Sequence, residues 1–248
     1  MERIWLKEYP SGVPHEIDSS QYASLVALAD DSLVRHAGHI AYELMGRGMT
    51  YAEVDRLSAA FACWLQAQGC VKGDRIALML PNVLQYPIAM FGALRAGMVV
   101  VNTNPLYTAD ELLHQLNDSG ATAIVVLENF CHVVQAVRAQ TQVKHVLVAS
   151  VGELLSPLKG TVVDFALRHV KRKVPAWSIP DAVRFKATLR AHAGQRPKPV
   201  VLTHDDLAYL QYTGGTTGVA KGAMLSHGNM VANVLQAYAW FHQTTIEH

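Results

Sequence analysis

The sequence predicts an α/β fold with a parallel-rich sheet flanked by helices, and three observations carry that expectation. Short apolar runs recur at 75–80, 98–102, 122–127 and 144–149, the later ones rich in β-branched residues, each the length of a buried strand. Helical patterns alternate with them, the arrangement that covers a parallel sheet on both faces. Two of the helices also mark their own starts. Thr50 with Glu53, and Thr108 with Glu111, are capping boxes, in which hydroxyl and carboxylate each satisfy a backbone N–H left unpaired in the first turn.

Residues 1–20 carry Pro10, Gly12 and Pro14 and read as an extended arm, after which 22–36 places Leu25, Leu28, Ala29 and Leu33 at helical spacing. From Thr50 a helix presents Val54, Leu57, Phe61 and Leu65 on one face and closes at Gly69. Strand 75–80 is broken by Pro81 and Asn82, and a helix over 84–95 leads through Gly97 into strand 98–102, which makes a βαβ unit. The helix opened by Thr108 ends near Gly120, then come strand 122–127, a helix over 132–140 and strand 144–149. Prolines at 157, 175, 180, 197 and 199 weaken the pattern, so a subdomain seam is expected there, holding an apolar helix over 161–173 with a basic end. Strands at 206–212 and 221–225, expected as a separate pair, flank a glycine-rich loop before a last helix. The expected division is an arm and helix (1–48), a first α/β subdomain (49–150), a Pro-rich basic connection (151–203), and the loop strands with the last helix (204–248).

Half of the 248 residues are hydrophobic, enough for a substantial core. A net charge of +1, from 21 basic and 20 acidic side chains, speaks against a nucleic-acid-binding surface. Cys63, Cys70 and Cys131 form no C-x-x-C pair, which fits a reducing compartment. The twelve histidines include no H-E-x-x-H, so no metal site is expected in this chain. The N-terminus has neither signal nor transit character. The longest apolar region, 86–101, is interrupted by Arg95 and falls short of the roughly 20 residues a spanning helix requires.

The strongest chemical statement lies at 212–230. Gly214, Gly215, Gly218 and Gly222 are interleaved with Thr213, Thr216, Thr217 and Lys221. Glycine lets consecutive backbone N–H groups approach an anion, threonine adds hydroxyl donors, and lysine adds a compact charge with three donors. The composition suits a loop that wraps a polyphosphate. It matches neither common pattern: a Walker loop would put glycine where Ala220 stands and a hydroxyl residue where Gly222 stands, and no G-x-G-x-x-G is present.

This stretch resembles the nucleotide signature of adenylate-forming acyl-CoA ligases, of general form Y/F-T-S-G-S/T-T-G-x-P-K-G. Gly214 in place of serine and Ala220 in place of proline are similar to the bacterial long-chain fatty acid CoA ligase branch. The resemblance extends through 51–54, 94–105 and 114–120 and so covers nearly the whole chain. It implies the N-terminal portion of the large domain of such an enzyme, with a Gly/Thr-rich phosphate loop between two strands. The nucleotide-binding residues it implies are Tyr212, Thr213, Gly214, Gly215, Thr216, Thr217, Gly218, Val219, Ala220, Lys221, Gly222 and Ala223, with Lys221 and Thr217 in catalytic roles.

The implied chemistry joins a fatty acid to coenzyme A at the expense of ATP with Mg2+. The implied setting is the cytoplasm, or the inner face of the cell membrane, where Arg168, Lys171, Arg172 and Lys173 would meet anionic lipid; a homodimer is a further expectation. The family's later motifs for adenine, ribose and the C-terminal catalytic lysine do not occur. The chain is therefore expected to be inactive alone and the complete form about twice as long. Two alternatives stand beside this reading: a non-catalytic nucleotide- or partner-binding fragment, and an adenylating enzyme that passes its acyl group to a carrier protein.

Overall fold

Ser24 starts the first helix: its hydroxyl accepts the Ala27 N–H at 3.2 Å. In this computed structural model, which describes residues 3–213 and 220–245 with side chains to 241, α1 covers Leu25–Arg35 and buries Leu25, Ala29 and Leu33. A hairpin absent from the sequence reading follows. Strands β1 (Ile40–Leu44) and β2 (Arg47–Thr50) pair antiparallel across Met45 and Gly46. Both turn residues have positive φ, 52° and 74°, the geometry of a two-residue type I′ turn.

Both capping boxes form. Thr50 opens α2 (Tyr51–Ala67), and its hydroxyl accepts the Glu53 N–H while Glu53 accepts the Thr50 N–H. Next come β3 (Arg75–Met79), α3 (Gln85–Arg95) and β4 (Val99–Asn102). Pro87 is tolerated because it falls in the first turn of α3, where its missing N–H costs nothing. Helices α2 and α3 approach so closely that a Cβ on Gly92 would stand 2.7 Å from Phe61 Cδ1 and 2.9 Å from the Ser58 carbonyl. Thr108 opens α4 (Ala109–Ser119), which ends on Gly120 in the left-handed conformation. Then follow β5 (Ala123–Leu127), α5 (Cys131–Val137) and β6 (His145–Ala149).

The Pro-rich stretch contributes structure of its own: α6 (Pro157–Phe165), a wide helical turn over Ala166–Val170, β7 (Val183–Arg184) and α7 (Phe185–Ala191). The last described elements are β8 (Leu207–Thr213), β9 (Lys221–Ser226) and α8 (His227–Thr245).

Among the described residues seven strands form one sheet in the order β7-β6-β5-β3-β4-β8-β9, parallel except for β9. The expectation of a separate strand pair around the loop is therefore corrected. Strand β8 lies beside β4, with Val100 opposite Tyr209 and Asn102 opposite Gln211, so the loop grows from the same sheet as 75–149. Local pattern reveals a strand but not its neighbour, and this neighbour is more than a hundred residues away.

Side chains alternate across the sheet. Ile76 and Leu78 join Phe61, Ile88, Leu94 and Phe185 on one face, whereas Ala77 and Met79 join Leu112, Leu116, Cys131 and Val134 on the other. The result is three layers, with α4 and α5 covering the second face. Ion pairs centred on the buried Arg95 side chain tie together the helices of the first face. Arg95 donates to Asp55 Oδ1 (2.7 Å), to Ser58 Oγ (2.8 Å) and to Asp30, and Arg196 forks onto the same Asp55 (2.9 and 2.7 Å).

Glu153 is held by Gln85, whose Nε2 donates to Oε1 (3.1 Å). Burial pushes the Glu153 carboxyl up to about 7 from an ordinary 4.5. A carboxyl that binds its proton more tightly folded than unfolded contributes stability that is full below about 4.5 and lost as pH rises through about 7. Glu153→Gln should therefore flatten the stability curve over that window, read as the difference in urea midpoint between variant and parent at each pH. Parallel curves would place the proton elsewhere.

Candidate functional site

The loop predicted to hold phosphate connects β8 to β9, and the sheet fixes its two ends. Tyr212 is paired with Gly222, and Thr213 with Lys221. The Lys221 side chain thus stands opposite Thr213 at the mouth of the loop; both are exposed, and the Lys221 ammonium makes no ion pair with any described residue. Of the remaining predicted residues, Ala220 and Ala223 lie at the exit of the loop and in β9, while Gly214, Gly215, Thr216, Thr217, Gly218 and Val219 lie outside the described residues. Because β8 runs parallel to β4, the loop emerges at the carboxyl edge of the parallel strands, the edge at which open α/β sheets bind ligands.

Helix α4 holds both ends of the loop. At the entry, the Tyr212 hydroxyl donates to Asp118 Oδ2 at 2.5 Å. At the exit, His114 Nε2 lies 3.0 Å from the Ala220 carbonyl. A carbonyl only accepts, so Nε2 carries the proton. Residues 114 and 118 are one turn apart and share a helix face, so a single rigid element sets the separation of the two ends. Burial, and then the Asp118 carboxylate, drive the Tyr212 phenol far above its usual range, which keeps it a neutral donor.

The Tyr212 ring also explains Gly222. A Cβ there would stand 3.0 Å from Tyr212 Cε2, closer than the ring could accept without shifting, so the glycine that follows Lys221 serves packing as well as flexibility.

A second tier of hydrogen bonds fixes β8 itself. Asn102 Nδ2 donates to Gln211 Oε1 (2.8 Å), Tyr86 donates to Asn102 Oδ1 (2.8 Å), and Gln115 Nε2 donates to the Asn102 carbonyl (2.9 Å). On the far side, the Leu25 N–H donates to His227 Nδ1 (3.3 Å) and joins α8 to α1. Burial holds the His227 imidazole below its usual pKa, as that accepting role requires.

Sequence reasoning assigned no role to His114, Asp118 or Asn102. The available signal was the polar pair at i and i+4 on a helix otherwise read from its capping box and its end at Gly120, in a stretch, 114–120, that also carries the resemblance. The described residues do not form a magnesium cage: no group of three or more His, Cys, Asp or Glu side chains occurs among them, and Asp118 is engaged by Tyr212.

The sequence profile described as AMP-binding enzyme matches residues 29–247. A long-chain-fatty-acid–CoA ligase of Escherichia coli O6:H1 is 52% identical over 244 residues, which cover 97% of this chain and 43% of the relative. One from Haemophilus influenzae is 48% identical over 238 residues, 96% of this chain and 42% of the relative. The chain thus spans less than half the length of these curated relatives. Among solved structures, a long-chain-fatty-acid-CoA ligase from Archaeoglobus fulgidus superimposes with a TM-score of 0.69 over 94% of this chain and 42% of that one; at 24% identity it speaks for the fold alone.

The clamp on the loop is separable from stability. Asp118→Asn keeps the shape but weakens a charge-assisted hydrogen bond, and His114→Ala frees the exit carbonyl; each should cost stability by about 1 kcal/mol. Amide hydrogen exchange at Ala220 and Lys221 should rise well beyond what the global change explains. Exchange that tracks global stability in both variants would remove the clamp.

Proposed function

Because the chain belongs to the AMP-binding enzyme family, we propose that it carries the triphosphate-binding part of an AMP-forming ligase that joins a long-chain fatty acid to coenzyme A. The observation that carries this reading is the identity of about half of all residues, over nearly the entire chain, with long-chain-fatty-acid–CoA ligases. A fatty acid carboxylate attacks the α-phosphorus of ATP, an acyl-adenylate forms and pyrophosphate leaves. The coenzyme A thiol then attacks the acyl carbon, a thioester forms and AMP leaves. Magnesium, when bound, supplies charge neutralisation on the triphosphate.

What this chain's residues contribute is charge control. Carboxylate and triphosphate repel, so the β- and γ-phosphates must be neutralised while the attack is held in line. Lys221 is poised for this: it is uncompensated by any described acid and anchored by its pairing with Thr213. Its ammonium can follow the pyrophosphate as charge accumulates on the leaving group.

A second reading concerns location, at the inner face of the membrane. Leu158, Val162 and Phe165 of α6 are 80%, 59% and 58% exposed at helical spacing, and Lys171, Arg172 and Lys173 follow them, all exposed. An apolar stripe beside a basic end is the pattern of a helix that rests on anionic lipid. Arg168 is withdrawn from that group because it forks onto buried Glu128 (3.0 and 2.6 Å).

Two outcomes are expected. In the protein that carries this chain, Lys221→Ala should slow fatty-acid-dependent pyrophosphate release on the order of 10- to 1,000-fold with little change in fatty acid binding, since the interaction grows in the transition state. Thr217→Val should act in the same direction but less; an unaltered pyrophosphate burst in the Lys221 variant would refute the role. For the membrane, glutamine at 171, 172 and 173 together should weaken co-sedimentation with anionic vesicles, each lysine or arginine contributing about 1 kcal/mol. Unchanged sedimentation would end that reading.

A further inference from the structure

Four cations converge at the opposite end of the sheet edge from the phosphate loop. At the carboxyl ends of β5, β6 and β7 lies a cavity of about 580 Å3 lined by Ser150, Glu153, Arg168, Arg184, Lys186 and Arg190. The cations arrive from three different pieces of local structure. Arg168 sits on the wide turn after α6, where the Lys171 N–H reaches back five residues to the Ala166 carbonyl (2.7 Å). Such a widened turn recurs at functional sites. Arg184 is the last residue of β7 and lies over the Trp177 ring, 5.4 Å from its centroid. Lys186 and Arg190 are one turn apart on α7 and share a face, although like charges at that spacing weaken a helix.

The acids present do not cancel this charge. Glu128 is 2% exposed and accepts from Arg168 and from Arg184 Nη1 (3.2 Å). One carboxylate thus serves two guanidinium groups, and Arg168 Nη1 with Arg184 Nε and Nη2 donates to no described residue. The Lys186 ammonium donates to the Glu153 backbone carbonyl, which is neutral. The Arg190 side chain bonds no described residue. Burial pushes Glu153 up to about 7, so near neutral pH it offsets only part of one charge. A third acid, Asp164, accepts from the lining Ser150 (2.7 Å) and lies close enough to act on Arg168; with all three acids fully ionised, the four cations still leave one surplus positive charge.

We propose that this cavity is a second anion site, which takes the phosphate monoester or pyrophosphate group of a small soluble ligand. Guanidinium forks match phosphate oxygens in a planar, bidentate manner, and a dianion needs the surplus found here. The cavity is open to solvent, and its cations converge from three pieces of structure on one point, which suits a single compact phosphorylated group; Lys171, Arg172 and Lys173, which a flat lipid surface would meet, are not among its lining residues. It is also distinct from the loop. Strands β6 and β8 are four strand spacings apart in the sheet, about 19 Å, too far for one phosphate to touch both. The site does not depend on the ligase reading, since no residue of the loop contributes to it.

Titration of the chain with inorganic phosphate and with pyrophosphate, followed by calorimetry and by 31P line broadening, tests the site. Arg190 is exposed and remote from the core, so Arg190→Gln should fold as the parent does, and Lys186→Gln provides a second variant. Each should weaken phosphate or pyrophosphate binding on the order of tenfold, the loss of one charge-assisted contact, whereas Lys221→Ala should leave this binding event in place. Three results would overturn the proposal: no binding by the parent chain, binding that persists in both variants, and binding that disappears only with Lys221→Ala. Vesicles of phosphatidylglycerol form the other arm. Retention that falls in the Arg190 variant while soluble phosphate shows no binding would assign these cations to lipid and overturn the soluble-ligand proposal.

Discussion

Asn102 and Gln211 lie 109 residues apart in the chain and share a hydrogen bond of 2.8 Å. That bond sits on the parallel pairing of β4 with β8, and the position of the loop depends on it. Without this pairing, the hairpin of β8 and β9 would have no fixed relation to the sheet whose carboxyl edge it completes. Closing so long a segment carries an entropic cost that grows only slowly with length. The chain offsets it with buried apolar contact from Ala208, Tyr209 and Tyr212, which enter both core clusters. Asn102 is therefore more than a strand residue. It receives Tyr86 from α3 and Gln115 from α4, so helices on opposite faces converge on the strand beside the loop.

Helix α4 then acts on two levels. Its apolar face, Leu112 and Leu116, closes the second core cluster, and its polar face meets the entry and exit of the loop through Asp118 and His114. A rigid helix measures distance better than a loop can. Holding Tyr212 and Ala220 from residues one turn apart fixes where Lys221 begins, and preorganisation of that kind costs nothing at the moment of reaction. The same helix is held from below: Arg75 donates to the Ser119 and Gly120 carbonyls (2.7 and 2.9 Å), which the helix end would otherwise leave without partners.

Much of this was legible in the sequence because it is local. The capping boxes at Thr50 and Thr108 name their helices, Gly120 ends one, and the runs at 75–80 and 122–127 declare buried strands by composition alone. The hairpin at 40–50 was not legible, because Met45 occupies a left-handed turn position that sequence patterns reserve for glycine and asparagine. Its strands are short and only Met49 is buried in them, so no apolar alternation marks them. The placement of β8 was hidden for the opposite reason: its apolar character announces a strand but no partner. For the candidate site, the loop and Lys221 could be read directly. The clamp could not, since His114 and Asp118 acquire meaning only once Ala220 and Tyr212 are brought beside them.

The distribution of charge follows the same division between near and far. Arg168 belongs in sequence to a basic run with Lys171, Arg172 and Lys173, yet in the fold its charge is spent on Glu128, forty residues away. Arg95 and Arg196 are likewise committed to Asp30 and Asp55. Glu128, Arg95 and Asp55 are the most buried members, and removing their partners would strand them, so these pairs secure the packing of helices more than they add stability. Lys221 and Arg190 differ from them. Each stands at the carboxyl edge of the sheet, one at either end, and neither is paired with a described acid. A chain with a net charge of +1 has carboxylates in sufficient number to compensate both. Leaving them uncompensated at the one edge where an α/β sheet receives ligands sets them apart from the cations that merely hold the fold together.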